Sequence, residues 1–378
     1  MTIGKTNIIS ALLCLLTYIC FSQTVKGIIL DAKTNAPIES ASVYFDNTSI
    51  GTSSNLKGEF EITLKKGINT SLIISFLGYE KIVIQDYSVN KFYKILLTED
   101  NNTLDEVLIT YFDGMTREIK LRYFRDQFLG LTKNGRSCTI LNEEALLLRF
   151  NKKTKQLTVN SKRPIIVNNE NLNYQIRFEI KDFLVNYSYT NAKKQVFRIK
   201  SVNDEGTSFY KNIQENDSLA EDLRNRIYKG SILHFMRALR HKNLKQEGYQ
   251  LFSKSFIVDP SKYINVRRIK TSDSVLVKLR LQLSILYNEN QQSEMVSSSP
   301  FLTNNNTPQF KKPQYGDTIR TSFLKFPSNK PSNTPYFNTE IIVDKFGNYS
   351  PLSAFYFMGY MGNLRLGDTL PLDYNLAN

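Results

Sequence analysis

Seven short strand patterns follow one another between Gln23 and Asp100, and this run restricts the possible folds more than any other feature of the chain. In "NLKGEFEI" apolar and polar residues alternate after Gly58, which marks a turn that needs a positive φ. Residues that break strands separate the other patterns at regular intervals. The patterns are "VKGIILD", "SASVYFD", "SIGTSS", "EFEI", "SLIISF", "KIVIQDY" and "KFYKILL". They predict a seven-stranded Greek-key β-sandwich over residues 23–100.

Residues 1–22 are predicted to be a signal peptide. Lys5 supplies a small basic segment, and "IISALLCLLTYICFSQ" is an apolar run of signal-peptide length that ends in small residues. A transmembrane anchor would need about 20 apolar residues, and bulky residues before Cys20 disfavour a lipidation signal. We therefore expect export, with cleavage between Ser22 and Gln23.

The charge of the chain is uneven. Residues 23–100 hold eight Lys and nine Asp or Glu, a net charge of −1. With +1 from Lys5, the whole-chain charge of +14 leaves +14 on residues 101–378. An exported protein rarely meets nucleic acid, so this charge favours anionic envelope surfaces such as lipid head groups, lipopolysaccharide or acidic glycans. A solvated basic surface without a binding patch is the alternative, because no dense Lys/Arg run occurs.

The N-terminal pattern also resembles a known family. The matching marks are Gly27, Asp31, Pro37, the strand "ASVYF" and the stretches "IGTSSNLKGEF" and "FLGYE". Together they resemble the carboxypeptidase regulatory-like domain, a transthyretin- or immunoglobulin-like sandwich found in exported proteins of Gram-negative bacteria. The likeness covers about one fifth of the chain. It implies a structural domain without the activity that the family name suggests.

Residues 101–115 are predicted to be a linker. The segment "NNTLDEVLITYF" is similar to the one that joins such a sandwich to the plug of TonB-dependent glycan-uptake receptors. Those receptors need a plug and a 22-stranded barrel, whereas residues 113–378 number 266. Each barrel strand takes about 9–11 residues plus loops, so the sandwich here precedes a smaller body.

Residues 116–378 are predicted to form a larger, β-rich α+β domain. "TREIKLRYFRDQFLGLT" has the apolar spacing of a short amphipathic helix, and several strand patterns follow it. Residues from about 217 to 242 are predicted to be helical. Asp217 or Ser218 is expected as the N-cap, and Gly230 is expected to kink or divide the helix.

The last part of this domain is expected to contain strands and one long loop. "VLVKLRLQLSILY" alternates throughout, which predicts one strand with Lys278 and Arg280 on its solvent side. We expect these two residues to bind an anionic surface better than Lys152 and Lys153, which lie in a predicted turn. A polar loop is expected at about 288–318, followed by a hairpin "TEIIVDKFGNYSPL". The stretches "RPIIVNNENLNYQIRFEI", "GSILHFMRAL" and "MGNLRLGDTLPLDY" are similar to the body that often follows this sandwich in other envelope proteins, and that likeness implies no reaction.

His234 and His241 are the only histidines. On a continuous helix they would lie two turns apart, too far for one metal ion, and no zinc-peptidase pattern such as HExxH occurs. We therefore predict no metal site and no cofactor. His234 is interpreted as a core or boundary residue, and His241 as a residue at a helix end, where a cation suits the dipole. Ser231 could contact His234, but a helix cap is the favoured role.

Other candidate chemistry is sparse. Cys138 is the single cysteine after signal removal, and its place in "RSCTIL" indicates a small core residue at a strand start. The acid pairs Glu143-Glu144 and Asp204-Glu205 would serve a glycosidase only within a cleft, and are interpreted as solvated turn residues. The chain contains no Trp, which weakens the case for glycan stacking.

The sequence thus predicts an exported, non-catalytic envelope protein, periplasmic or associated with the outer membrane, that binds or assembles with an envelope component. It indicates no catalytic residue and leaves the binding residues unknown. Two alternatives remain open. The body could be a hydrolase that uses carboxylates or the Ser231/His234 pair, and a deep polar cleft would favour that function. The protein could also be an accessory partner of TonB-dependent outer-membrane receptors, engaged through "LDEVLI".

Overall fold

A computed structural model describes residues 23–89, 91–100, 113–270, 272–280, 282–297 and 339–375. The predicted signal peptide, the segment 101–112 and residues 298–338, which include most of the polar loop expected at about 288–318, lie outside the described residues. The described chain is mostly β, as predicted, and its buried apolar side chains form three clusters, each centred on one of three consecutive lobes. None of the described helices is long and apolar enough to cross a membrane.

The N-terminal lobe is a sandwich of two sheets, and it confirms the predicted seven strands. One sheet has the order β4-β1-β7, with β1 and β7 parallel, and the other has the order β3-β2-β5-β6. Alternate side chains of β4 are buried, because successive residues of a strand point to opposite faces. The strands are β1 Gln23–Asp31, β2 Ser42–Phe45, β3 Gly51–Ser53, β4 Glu59–Leu64, β5 Leu72–Ser75, β6 Ile82–Ile84 and β7 Phe92–Leu97.

Gly58 precedes β4 with a φ of +75°, as the sequence predicts. A Cβ atom at this position would lie 2.4 Å from the carbonyl oxygen of Ile29. Both the conformation and the close approach of the backbone therefore require glycine.

The middle lobe is a six-stranded sheet covered by helices. The order is β8-β11-β12-β10-β9, and β13 pairs with β12 in a long antiparallel hairpin. The predicted amphipathic helix is α1, and its Phe124 and Phe128 pack edge-on against Phe183 of β12. The elements are α1 Arg117–Phe128, α2 Lys133–Ser137, β8 Cys138–Ile140, β9 Leu146–Asn151, β10 Gln156–Ser161, β11 Ile165–Asn169, β12 Tyr174–Asn191, β13 Val196–Asn212 and α3 Ser218–Tyr228, with a 3-10 turn at Glu143–Ala145.

The C-terminal lobe contains two sheets, with the orders β15-β14-β18-β19-β22 and β16-β17-β20-β21. Helix α4 packs its apolar face into their shared cluster of buried residues. The elements are α4 Ile232–His241, β14 Tyr249–Ser253, β15 Phe256–Val258, β16 Ile264–Arg268, β17 Val275–Leu279, β18 Leu283–Tyr287, β19 Gln291–Ser297, β20 Thr339–Val343, β21 Tyr349–Ser350, β22 Phe355–Gly359 and α5 Tyr360–Asn363, with 3-10 turns at Pro260–Lys262, Leu352–Ala354 and Leu366–Asp368.

The predicted helical segment is confirmed, and it is divided at Gly230. The Asp217 carboxylate accepts the backbone N–H of Ala220 at 3.1 Å and caps α3. Gly230 has a φ of +80° between α3 and α4, where Ser231 caps the second helix. The two helices therefore belong to different lobes rather than to one long rod.

The prediction of one strand over residues 275–287 is wrong. β17 and β18 belong to different sheets, and Gln282 between them has a φ of +64°. The alternation persists across the break because both strands direct their apolar side chains into the same cluster. Periodicity reports which side of a segment is buried, and it does not report whether the strand is continuous.

The expected polar loop also begins later than predicted. Residues Gln291–Ser297 form β19, which pairs with β18 and β22. Ser293 and Met295 are buried on one side of this strand, while Gln292 faces solvent. The polar composition of this segment indicated a loop, although buried and more exposed residues alternate along it as in a strand. The predicted hairpin near Gly347 is confirmed, because β20 and β21 pair on either side of it.

Candidate functional site

His234 is buried between α4 and the strands β14 and β18. Its Nδ1 accepts the backbone N–H of Gly230 at 3.1 Å and lies 2.9 Å from the Tyr249 hydroxyl. Because the backbone N–H can only donate, Nδ1 is an acceptor, and Nε2 carries the proton that it donates to Glu247 at 3.1 Å. Burial lowers the pKa of His234 below its usual value, against an opposing effect of Glu247. The residue is neutral and satisfied, as predicted.

Ser231 is a helix cap, which confirms the favoured interpretation. Its hydroxyl donates to the carbonyl of Tyr228 at 2.7 Å and accepts the backbone N–H of His234 at 3.2 Å. The group that faces the imidazole is the hydroxyl of Tyr249, a residue that is 2% exposed. Burial raises the pKa of this hydroxyl far above its usual value. This set of hydrogen bonds fixes α4 to β14 and offers no exposed nucleophile.

His241 lies in the last turn of α4, as predicted, but it is not the cation expected there. Burial and the charge of Arg240 lower its pKa below the usual value. It is therefore neutral near neutral pH, and Arg240 beside it supplies the positive charge at this helix end.

The acidic pairs do not share a cleft. Glu143 and Glu144 lie in a 3-10 turn as expected, whereas Asp204 and Glu205 lie within strand β13 and not in a turn. The reason is that β12 and β13 stay paired through the acids, with Asp204 opposite Phe183 and Glu205 opposite Asp182, so no turn forms there. Each acid makes an ion pair: Glu143 with Arg125, Glu144 with Arg163, Asp204 with Arg365 and Glu205 with Lys181.

Cys138 begins strand β8, as predicted, and its thiol donates to the carbonyl of Asn134 at 3.3 Å. Burial raises the pKa of this thiol to about 12, with a smaller effect of Asp368. The group is therefore protonated and a poor nucleophile. Within the described ranges, no group of three or more His, Cys, Asp or Glu side chains could hold a metal ion.

The sandwich is docked on the middle lobe through charged and aromatic side chains. Arg177 of β12 donates to the hydroxyls of Ser42 and Ser75, each at 3.1 Å. The Tyr44 hydroxyl donates to Glu179 at 3.1 Å, and the Tyr44 ring lies 5.3 Å from that of Phe209. Glu179 also forms a 3.4 Å ion pair with Lys81 of the sandwich. The positive charges of Arg177 and Lys81 in this contact are thus paired with the carboxylate of Glu179.

Backbone groups of the turn between β2 and β3 continue this contact. The N–H of Asn47 donates to the carbonyl of Ser208 at 2.7 Å, and the N–H of Tyr210 donates to that of Thr48 at 3.0 Å. The Asp46 carboxylate accepts the N–H of Ser208 at 2.8 Å, and burial raises its pKa to about 6. The turn is therefore fixed to β13 by groups that would be unsatisfied if the lobes separated.

A cavity of about 210 Å³ remains between these two lobes, beside Arg177 and Lys211. Ligand pockets commonly measure about 300–1,000 Å³, so this space is small for a ligand. The two terminal nitrogens of the Arg177 guanidinium donate to sandwich hydroxyls, while its buried Nε has no hydrogen-bond partner among the described residues. We interpret this region as an inter-lobe contact.

The middle lobe presents a cluster of exposed lysines, here called the lysine turns: Lys152 and Lys153 between β9 and β10, and Lys193 and Lys194 between β12 and β13. Both turns meet at Gly114. A Cβ there would lie 2.3 Å from Lys152 Cε and 3.2 Å from the Cβ of Ala192, and Gln195 donates to the Gly114 carbonyl at 3.2 Å. The sequence shows only two separate Lys pairs, so their proximity could not be predicted without the strand pairing.

The residues expected to form the docking face are placed differently. Lys278 forms an ion pair with Glu340 on the neighbouring strand β20, which compensates its charge. The Arg280 guanidinium lies 5.1 Å from the centre of the Tyr263 ring. Lys152 and Lys153 do lie in a turn, as predicted. Because Lys278 already pairs with Glu340, it is a weaker candidate for anion binding than the sequence alone indicates.

Comparison with known proteins gives matches confined to parts of the chain. Over 86 residues the chain is 34% identical to the TonB-dependent receptor SusC of Bacteroides thetaiotaomicron. This match covers 23% of the present chain and 8% of the receptor, so the chain spans only a small part of that relative.

Two solved structures show distant likeness. A type II cohesin–X-dockerin complex from Acetivibrio cellulolyticus matches with 23% identity and a TM-score of 0.18, over 26% of this chain and 68% of that chain. A candidate carbohydrate-binding protein from Bacteroides uniformis matches with 9% identity and a TM-score of 0.17, over 51% and 80%. Likeness at these TM-scores carries no argument about function. The match to a family model lies in the N-terminal part of the chain: residues 25–109 match the CarboxypepD_reg-like domain, a range that covers nearly all of the N-terminal sandwich.

Proposed function

We propose that the protein is an exported, non-catalytic binding or assembly protein of the bacterial envelope, and that its basic body binds an anionic envelope component. The match of the sandwich to a domain of a TonB-dependent receptor supports an envelope location, periplasmic or at the outer membrane. The internal hydrogen bonds of Ser231 and His234 and the protonated state of Cys138 support a role without catalysis.

The juxtaposition of the lysine turns is the observation that carries this proposal. Lys152 of one turn and Ala192 of the other both lie close to Gly114, and each turn carries two exposed lysines from distant parts of the sequence. At 0.1 M salt the Debye length is about 10 Å, so charges gathered at one end of a sheet reinforce one another. A phosphate-bearing or carboxylate-bearing surface would gain from all four, whereas scattered lysines would act separately.

The sandwich then serves as a fixed spacer. Its sheet β3-β2-β5-β6 faces the middle lobe, and its turn between β2 and β3 is hydrogen-bonded to β13. Its net charge of −1 gives it little attraction for anionic surfaces. In this arrangement the sandwich holds the basic body at a constant orientation and does not itself bind the anion.

The test is binding of the full mature chain to lipopolysaccharide and to vesicles of phosphatidylcholine with equal phosphatidylglycerol. We expect binding at about 0.1 M salt and release at about 1 M, where the Debye length is about 3 Å. Changing Lys152, Lys153, Lys193 and Lys194 to Gln should weaken it at least tenfold, roughly 1.4 kcal/mol.

The matched control removes the same charge from the sandwich, with Gln at Lys33, Lys57, Lys66 and Lys94, four exposed residues. This variant should bind nearly as well as the wild type. Equal losses of affinity in the two variants would show that the basic surface only keeps the protein soluble and contains no binding patch. Failure to bind either anionic probe would reject the proposal altogether.

A further inference from the structure

The hairpin β14–β15 of the C-terminal lobe ends in an unusual tip. Ser253 pairs with Phe256, so only Lys254 and Ser255 connect the strands, with φ values of +51° and +74°. Two consecutive residues with positive φ are typical of the tight turns that join β-hairpins. β15 is also the edge strand of its sheet. The tip thus extends from the lobe on a short and well-defined support.

The two residues after the turn are both apolar and both exposed. Phe256 is 76% exposed and Ile257 is 69% exposed. Neighbouring residues of a strand point to opposite faces, so a hairpin lying flat on a core would bury one of them. Here both faces of the tip are in solvent. Farther from the tip, Leu251 is buried and Val258 is half-buried against the lobe.

The chain around the tip is basic. Residues 248–280 contain seven Lys or Arg and two Asp, a net charge of +5. Lys254 lies in the turn, Lys262 ends the following 3-10 turn, and Arg267 and Arg268 are exposed on the edge strand β16. Asp259, the one acidic residue close to the tip in sequence, accepts the backbone N–H of Ser261. The apolar side chains at the tip are therefore followed in the sequence by a basic segment.

We propose that this tip enters the interface of an anionic lipid bilayer, with Phe256 and Ile257 among the acyl chains and the basic residues at the head groups. Interfacial elements combine these two features, because apolar burial and attraction to anionic lipids add. A fluid layer can surround both faces of a narrow hairpin. A stable protein partner would instead need about 800 Å² on one continuous surface, far more than two side chains present.

The proposal goes beyond the anion binding assigned to the lysine turns and does not depend on them. It concerns a different lobe and an apolar contact. A surface without an acyl layer could satisfy the lysine turns and would leave the tip in water. The two ideas can therefore be tested in the same protein.

The chain contains no Trp, so Phe256→Trp introduces a single fluorescent reporter. With vesicles of equal phosphatidylcholine and phosphatidylglycerol, its emission should shift to the blue and be quenched by brominated acyl chains. With phosphatidylcholine alone the change should be much smaller. Leu219→Trp is the control, because Leu219 is 80% exposed on α3, with Asp217 and Glu221 two residues away on either side. That reporter should not respond.

A second variant measures the contribution of the tip without a reporter. Phe256→Ser with Ile257→Ser should weaken partitioning into the anionic vesicles at least about tenfold, because two apolar side chains lose their burial in lipid. The change Arg267→Gln with Arg268→Gln should weaken it less and mainly at low salt.

Four outcomes would overturn the proposal. The protein could sediment with anionic vesicles while the reporter at position 256 stays in water, which would leave the proposed function intact. Both reporters could respond alike, which would indicate general adsorption. The reporter at 256 could shift without vesicles as protein concentration rises, which would indicate association of chains through β15. The vesicles could fail to bind while lipopolysaccharide binds, which would restrict recognition to the lysine turns.

Discussion

Two hairpins of the C-terminal lobe each present a phenylalanine near the turn, and the two residues have opposite environments. Phe346, between β20 and β21, is 9% exposed and belongs to the buried cluster of the N-terminal sandwich. Phe256, after the turn between β14 and β15, is 76% exposed. The same residue type in the same kind of element is thus enclosed in one hairpin and open in the other.

The polar groups around the two residues differ in the same way. In the Phe346 turn, the Asp344 carboxylate accepts backbone N–H groups of Phe346, Asn348 and, from the sandwich, Asn69, at 2.7–2.9 Å. Arg237 of α4 donates to the carbonyl of Phe346 at 2.9 Å. The Phe256 tip is held by the strand pairing of β14 and β15, with Phe256 opposite Ser253.

The comparison teaches how to separate internal docking from external recognition. Exposing an apolar side chain to water at a hairpin end costs free energy. The Phe346 turn avoids this cost because the side chain is buried in the sandwich of the same chain. The Phe256 tip retains it. Where the chain itself provides the partner, mutation should change stability, and where it does not, mutation should change binding.

The largest expected effect is that of Phe346→Ala. Truncating a buried Phe commonly costs about 3–5 kcal/mol, because burial is lost and a cavity remains. We expect a loss of this order in the free energy of unfolding measured with urea. The N-terminal lobe should also exchange amide hydrogens faster, because this side chain crosses from one lobe into another.

Phe256→Ala in the same lobe is the matched control for that experiment. It removes the same atoms from an exposed position and should change stability by less than about 0.5 kcal/mol. A small effect of Phe346→Ala would mean that the sandwich does not depend on the C-terminal hairpin. The contrast between the two hairpins would then lose its energetic basis.

A smaller effect should appear in the pH dependence of the docked turn between β2 and β3. Burial raises the pKa of Asp46 from 3.8 to about 6. The positive charge of Lys81 opposes this increase, and the negative charge of Glu179 adds to it. Between these pH values the folded protein holds a proton that the unfolded chain releases. Stability from this group is therefore present at low pH and lost as pH rises through about 6.

Asp46→Asn isolates this contribution, since the amide oxygen still accepts the N–H of Ser208. The stability of the variant minus that of the wild type should increase by on the order of 2–3 kcal/mol between pH 4 and pH 6, and then remain constant. Subtracting the wild type cancels the titration of other carboxylates. A flat difference would show that Asp46 is solvated, and hence that the lobes part at this contact.

Much of this fold could be predicted because local rules determined it. The sandwich strands, the cap at Asp217 and the division at Gly230 follow from alternation, capping and positive φ. These signals depend on residues close in sequence. The division of the chain at residues 100 and 116 used the same signals, and it stays a prediction.

The failures have a common physical origin in contacts between distant residues. The break at Gln282 was hidden because both flanking strands face one cluster. The insertion of Phe346 into the sandwich and the meeting of Lys152 with the 193–194 turn join residues far apart in sequence. Periodicity identified the buried side of each strand, but the pairing of sheets decides which surfaces meet. The exposed hairpin at Phe256 was missed for the same reason.

The smallest expected effect is on the stability of the Phe256 tip, and it completes the comparison. Phe256→Ser with Ile257→Ser should change the free energy of unfolding by less than about 0.5 kcal/mol in the absence of lipid, because neither side chain is buried in the free protein. Urea unfolding at neutral pH measures this, and the slope of the transition should stay constant. A loss above about 2 kcal/mol would show that these side chains are packed inside the protein. Unchanged stability together with lost vesicle binding would show that these exposed side chains serve recognition and not folding.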